Sequence, residues 1–396
     1  MNVSGAWERT ARGAMLLGSD GELRPTIFAE MSALAVKTGA INLGQGFPDE
    51  DGPAEVLDAA KRAITDGFNQ YPPGIGYPVL REAIATHQQR FYGLNPDPDT
   101  EVLVTAGATE ALAATILALV DEGDEVVTFE PFYDSYAAII ALSRGVLKTV
   151  ALRAPGFQPD HDELRRAVTG RTRIILVNNP HNPTGAVFGR ETLDLIVELA
   201  HQHDAIIVTD EVYEHLTFGV EHIPIATLPG AWDRTVTISS GGKTFNTTGW
   251  KVGWLTAPRD LLQAILAVKQ YLTYVNAAPF QPAIAVGLGL GDDYFSQIAT
   301  DLAHKRDVLS AGLRKAGFAV SESAGSYFAV ADAAPLGFTD AAALCRQLPD
   351  LAGVVAVPVS AFVTDENKGE YASLVRFAFC KKVEVLERAS AQLARL

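Results

Sequence analysis

From residue 101 onward the chain alternates short apolar runs with amphipathic stretches, and this alternation restricts the fold more than any other feature. Residues 101–105, 125–129, 147–152, 174–177, 205–208 and 235–238 read as strands. Helical periodicity fills 111–120, 133–143, 162–168, 190–203 and 260–272. Strands that take turns with helices build a mostly parallel sheet covered on both faces. Ligands of such sheets bind beyond the carboxyl ends of the strands. Polar clusters at 106–110, 178–185, 209–213 and 239–243 each follow a strand, so they are expected to converge at one edge.

The richest cluster is Ser239-Ser240-Gly241-Gly242-Lys243-Thr244, followed by Gly249-Trp250-Lys251-Val252-Gly253-Trp254. Gly242-Lys243-Thr244 ends like a nucleotide phosphate loop. That motif requires glycine five residues before Gly242, and Thr237 stands there. It also requires a helix to run on, and Thr247-Thr248-Gly249-Trp250 is a poor helix interior. The competing reading is a lysine that forms a Schiff base with a phosphorylated aldehyde. Lys243 would take the aldehyde, while Ser240 and Lys251 would lie near the phosphate.

Other residues supply what such chemistry needs, although each has a plainer reading. Asp210 ends the apolar run Ile206-Ile207-Val208; a strand-end carboxylate is often solvated, but it could also pair with a ring nitrogen. Tyr213 and Asn182 could donate to a ring oxygen, and Asn182 sits between Pro180 and Pro183, where turn chemistry alone would explain it. Gly107-Ala108-Thr109 opens a helix, either as an ordinary cap or as an anion site. Tyr133 could stack on an aromatic ring or belong to the core. Arg376, between Val375 and Phe377, fits bidentate carboxylate recognition or a structural ion pair. Gly44 and Gly46 mark a turn where a ligand could approach the backbone.

Composition removes several classes. The net charge of −15 disfavours nucleic acid and anionic membrane as partners. Two cysteines in apolar surroundings read as free buried thiols, and no metal-ligand spacing is present. With no apolar run of membrane-spanning length and no signal-peptide pattern, the expectation is a cytoplasmic protein. No G-x-G-x-x-G follows the first strand of the alternating region, against a nicotinamide dehydrogenase. An acidic chain without room for a basic domain argues against a DNA-binding sensor.

Asn182-Pro183-Thr184-Gly185, Asp210-Glu211-Val212-Tyr213, Ser240-Gly241-Gly242-Lys243-Thr244-Phe245 with Gly249 to Trp254, and Arg376 together resemble the class I/II aminotransferases of pyridoxal phosphate (PLP) fold type I. The resemblance spans residues 25–396. It implies an α/β large domain with a mostly parallel sheet and a smaller α+β domain. The expected division is 1–55 for an arm and part of the small domain, 56–290 for the large domain and 291–396 for the small one, with residues 1–20 a loose arm. It implies pyridoxal 5′-phosphate bound covalently to Lys243. Asp210 would face the ring nitrogen, Tyr213 and Asn182 the ring oxygen, and Tyr133 the ring face. Gly107, Ala108, Thr109, Ser240 and Lys251 would hold the phosphate. Arg376 would grip the substrate carboxylate with Asn182 and the Gly46 backbone. Tyr71 resembles the tyrosine that such homodimers lend to the neighbouring site. Asn42 to Pro48 and Gly249 to Trp254 are similar to the kynurenine/glutamine transaminase branch, where cysteine-conjugate β-elimination is the rival outcome. Phe28 to Ser32, Phe47 to Pro53 and Glu130 to Tyr136 are similar to actinobacterial N-succinyldiaminopimelate aminotransferases of lysine biosynthesis. The implied reaction passes an amino group to a 2-oxo acid, with 2-oxoglutarate as the expected acceptor.

Overall fold

The computed structural model describes residues 4–18 and 20–396. The N-terminal part supplies helix Ile27–Thr38 and strand β1 (Ile41–Asn42). Thr26 caps the helix by accepting from the Ala29 amide at 3.2 Å, and Gly39 ends it in the left-handed conformation, as the loss of hydrogen-bond partners at helix ends demands.

The central sheet holds seven strands: β2 (Val102–Ala106), β3 (Glu125–Glu130), β4 (Val146–Ala151), β5 (Thr172–Asn178), β6 (Ile206–Asp210), β7 (Thr235–Ser240) and β8 (Val252–Thr256). Their spatial order is β2-β8-β7-β6-β5-β3-β4. β8 alone runs against its neighbours β2 and β7; the remaining pairs are parallel. Central strands β5 and β6 are buried along almost their whole length, as a doubly covered parallel sheet requires.

The reversed strand has a functional consequence. Ala106, Asn178, Asp210 and Ser240 are the last residues of β2, β5, β6 and β7. Val252 is the first residue of β8 and pairs with Ala106, while Gly253 pairs with Ser240. Lys251 therefore arrives at the same edge as the other polar clusters.

A second sheet is built from β9 (Ala319–Val320), β10 (Phe328–Asp332), β12 (Val357–Pro358) and β13 (Leu374–Ala378), in the order β12-β13-β10-β9. β11 (Val354–Val355) pairs instead with β1, in parallel. Neighbouring residues 354–355 and 357–358 thus serve different sheets. Helix Asp292–Ala316 packs along helix Val383–Leu393. Gly312 faces Ser390 there; a Cβ on it would come within 2.0 Å of the serine oxygen.

The expected loose arm is corrected. Residues 1–3 and 19 lie outside the described residues, but Ala6–Gly13 forms a helix against helix Ser135–Ser143. The crossing is close because the facing residues are small: a Cβ on Gly13 would sit 2.4 Å from that of Ala141. Glycine in a polar sequence suggested freedom, whereas here it permits helix contact. The neighbouring helix also starts at Ser135, leaving Tyr133 in the loop before it. Among the described residues no helix is long and apolar enough to cross a membrane.

Candidate active site

One cavity of about 170 Å³ opens at the shared strand edge. Gly107, Ala108, Thr109, Tyr133, Asn182, Asp210, Tyr213, Ser240, Lys243 and Lys251 all line it. Ten expected residues from six segments thus meet at one place. Gly46 and Arg376 border the same region through hydrogen bonds described below. Tyr71 does not reach the cavity within its own chain. It is 80% exposed and lies 5.7 Å from the Tyr274 ring.

Lys243 follows β7 on the single helical turn Gly241–Thr244. Its Nζ donates to the Tyr327 phenol at 2.7 Å. Burial pushes its pKa down to about 8, against the smaller pull of Cys380 and Asp210 upward. An amine poised near neutral pH is suited to accept and return protons.

Asp210 is buried, and burial raises its pKa to about 6. Its Oδ2 accepts from the Tyr136 hydroxyl at 2.7 Å, whereas Oδ1 has no partner. Buried polar atoms are nearly always paired, so this vacant acceptor marks a place for an N–H. The backbone around it is fixed. Asn178 Nδ2 donates to the Asp210 carbonyl at 2.8 Å, and Asn178 Oδ1 accepts the Asn182 amide at 2.7 Å.

The segment after Asp210 alternates between two environments. Asp210, Val212 and Tyr213 face the cavity. Glu211 turns away, accepting from Thr209 at 3.0 Å beside His222 Nε2 at 2.9 Å. Glu214 accepts from Ser239 at 2.6 Å. His87, Glu214 and His215 bring ligand-type atoms within 4.8 Å of one another. The His87–His215 contact at 2.7 Å and the Ser239–Glu214 bond tie these side chains to one another and to β7. This network anchors the segment that carries the cavity residues.

An anion cradle forms where helix Gly107–Leu119 begins. Gly107 has φ of 69°, and a Cβ there would meet Lys251 Nζ at 3.0 Å. Gly253 is equally constrained, since its Cβ would press within 2.4 Å of the Gly107 carbonyl carbon. Both glycines let two backbones and one ammonium close around the same point. Lys251 Nζ also lies 3.3 Å from Thr109 Oγ1.

Arg376 is 1% exposed on β13. Nη1 donates to Asn182 Oδ1 at 3.1 Å and Nη2 to the Gly44 carbonyl at 2.8 Å, while Nε has no partner. Its guanidinium lies 4.0 Å from the Phe328 ring centroid and 4.8 Å from that of Phe362. Burial lowers its pKa to about 10. No carboxylate lies within ion-pair distance among the described residues, so the plainer reading of a structural ion pair fails. A buried cation without a counter-ion is costly unless a ligand provides one.

Two residues of the site escaped the sequence reading. Tyr136 closes the Glu130 to Tyr136 stretch without a role of its own, and Tyr327 is one aromatic before an apolar strand. Only their contacts to Asp210 and Lys243 reveal what they do.

A lysine amine, a vacant buried carboxylate oxygen and an anion cradle around one cavity define a class: enzymes that handle amines through a phosphorylated aldehyde. The chain belongs to the aminotransferase class I and II family, whose profile matches residues 38–393. It is accordingly a pyridoxal-phosphate-dependent transaminase with the fold type I architecture. The solved N-succinyldiaminopimelate aminotransferase of Mycobacterium tuberculosis is 50% identical, with a TM-score of 0.91 over 93% of this chain and 97% of that one. The methionine aminotransferase of Escherichia coli is 40% identical over 95% of this chain and 97% of its own. A kynurenine–oxoglutarate transaminase of Dictyostelium discoideum is 36% identical, covering 94% of each.

Proposed function

We propose that the chain transfers the amino group of N-succinyl-L,L-diaminopimelate to 2-oxoglutarate, in lysine biosynthesis. The observation that carries an amino-acid substrate is Arg376, a buried guanidinium with a vacant Nε and, among the described residues, no carboxylate partner. The particular donor rests on 50% identity across nearly the whole of both chains to the M. tuberculosis enzyme of that name.

Lys243 would hold pyridoxal 5′-phosphate covalently. Asp210 Oδ1 would accept from the ring N–H, and Tyr213 with Asn182 would face the ring oxygen. Tyr133 would cover the ring. Gly107, Ala108, Thr109, Ser240 and Lys251 would take the phosphate. When bound, the cofactor supplies an electron sink for the pair left at the substrate Cα. The chain does the rest. Arg376 and Asn182 orient the substrate by its carboxylate, with the Gly46 backbone beside them. Lys243, once released by the incoming amine, removes the Cα proton and returns it elsewhere as an acid. The ionised Asp210 favours a proton on the ring nitrogen. Water then releases the 2-oxo acid, and the acceptor reverses the sequence.

The test is a donor panel with 2-oxoglutarate: N-succinyl-diaminopimelate, kynurenine, glutamine, methionine and aspartate. The expected result is the highest kcat/KM for N-succinyl-diaminopimelate. A preference for kynurenine or glutamine overturns the assignment. Transaminases of methionine and kynurenine at 40% and 36% identity keep that alternative specific. A β-lyase would release pyruvate and ammonia from a cysteine conjugate without any oxo acid.

The active form is proposed to be a homodimer in which Tyr71 serves the neighbouring phosphate. Tyr71, Tyr271 and Tyr274 are all exposed on one chain, at 80%, 85% and 46%. Sedimentation of the loaded enzyme should give a dimer, and Tyr71→Phe should weaken cofactor binding by about tenfold, the loss of one charge-assisted hydrogen bond. A fully active monomer would remove this role.

A further inference from the structure

Tyr327 lies outside every motif read from the sequence, yet among the described residues its phenol is the one hydrogen-bond partner of the Lys243 amine. We propose that Tyr327 is a positioning residue, whose oxygen docks the Lys243 amine whenever that amine is not covalently held and leaves its lone pair free for the substrate Cα proton. The inference rests on Lys243 being the group that moves this proton.

A tyrosine hydroxyl has one proton and two lone pairs. Tyr327 donates its proton to the Gly46 carbonyl. Toward Lys243 it can then act only as an acceptor. A neutral amine that donates one N–H to an oxygen keeps its lone pair. Were the phenol to donate to the amine instead, the lone pair would be consumed and Lys243 could not act as a base. The Gly46 carbonyl thus selects the useful arrangement.

The docking point is rigid. Tyr327 is 1% exposed, and its ring meets Tyr213 edge-on at 5.1 Å and Phe328 at 4.9 Å. Gly46 packs against these rings; a Cβ would come within 2.5 Å of Phe328 and 2.9 Å of Tyr327. Two residues earlier, the Gly44 carbonyl accepts from Arg376. One short stretch of backbone therefore holds both the docking phenol and the guanidinium, setting the base against the carboxylate of the same substrate. Lys243 and Tyr327 also line a smaller cavity with Cys380 and Leu302, which gives the released amine space beside the phenol.

The balance of the step is simple. Neutral Lys243 gains the Cα proton and becomes an ammonium, still donating to Tyr327. It then gives that proton to the accepting carbon and returns to the amine. Tyr327 keeps its own proton throughout.

Tyr327→Phe tests this in two states. In the loaded enzyme, kcat should fall about tenfold to hundredfold, as for a misplaced catalytic group. KM for the donor should stay within about threefold, because the Arg376 contacts are untouched. The isotope effect with Cα-deuterated donor should grow, since proton transfer becomes slower than the other steps. In the cofactor-free protein, the pH dependence of Lys243 acylation, followed by peptide mass spectrometry, should shift to a lower midpoint. An acceptor oxygen favours the ammonium, and its removal favours the amine. If the unpaired Gly46 carbonyl prevents Tyr327→Phe from folding, 3-fluorotyrosine at 327 keeps the shape with a weaker acceptor, and smaller changes of the same sign are expected. An unchanged isotope effect and an unchanged acylation midpoint would overturn the proposal even if activity fell. Should Lys243→Ala still turn over, the underlying role of the lysine would fail first, so the two failures are distinguishable.

Discussion

Lys243→Ala is expected to abolish transamination, with kcat reduced by on the order of 10⁴-fold or more, the upper range for a lost general acid–base group. The substitution removes the amine that would hold the cofactor and the base that would take the Cα proton. No neighbour can replace it. Tyr327 is within 2.7 Å of the Nζ position, but burial raises its pKa well above the ordinary phenol value, so it is no base near neutral pH. Asp210 is committed to Tyr136 on one oxygen. Lys251 lies at the anion cradle beside Thr109. The fold should survive, because alanine removes a half-buried amine whose charge burial already disfavours. The check is a continuous assay for the product oxo acid on purified, cofactor-loaded variant, alongside a thermal melt. Catalytic turnover by a folded Lys243→Ala protein would refute the assignment.

The same residue shows how much of the molecule was legible beforehand. Strand–helix alternation exposed the central sheet because burial on both faces writes nearly continuous apolar runs into β5 and β6. The polar clusters were visible because strand ends are where such runs stop. The order β2-β8-β7-β6-β5-β3-β4 was not legible, since nothing local in β8 says that it runs backwards between β2 and β7. That reversal is what delivers Lys251 to the cradle. Tyr136 and Tyr327 were hidden for a related reason. Nothing beside either in sequence points to its role, because its polar partner is 74 or 84 residues away in the chain. Arg376 was legible as unusual, being charged inside an apolar strand. Its lack of a carboxylate partner among the described residues is a tertiary fact.

Asp210→Asn should separate stability from catalysis. In the cofactor-free protein, burial raises the Asp210 pKa from 3.8 to about 6. The folded state then keeps a proton that the unfolded chain loses, and stability falls as pH rises from about 4 to about 6. Above pH 6 the loss is complete, and a shift of this size corresponds to a cost on the order of 3 kcal/mol. Asparagine carries no charge at any pH, and its carbonyl oxygen can still accept from Tyr136. Cofactor-free Asp210→Asn should therefore melt a few degrees above the parent protein at pH 7 to 8. Toward pH 4, where the folded parent's carboxyl is protonated and the unfolded one about half so, the gap should narrow. Loaded enzyme should behave oppositely. An amide cannot favour a proton on the ring nitrogen, so the electron pair at Cα loses its sink. The kcat is expected to drop by on the order of 10²–10³-fold, the scale for losing one preorganised electrostatic contact. Thermal melts of the cofactor-free proteins across pH 4 to 8, with kcat for both loaded forms, measure the two effects separately. A cofactor-free variant less stable than its parent at pH 8 would show that Asp210 Oδ1 already has a charge-stabilising partner. The vacant oxygen would then not be the place kept for the ring nitrogen.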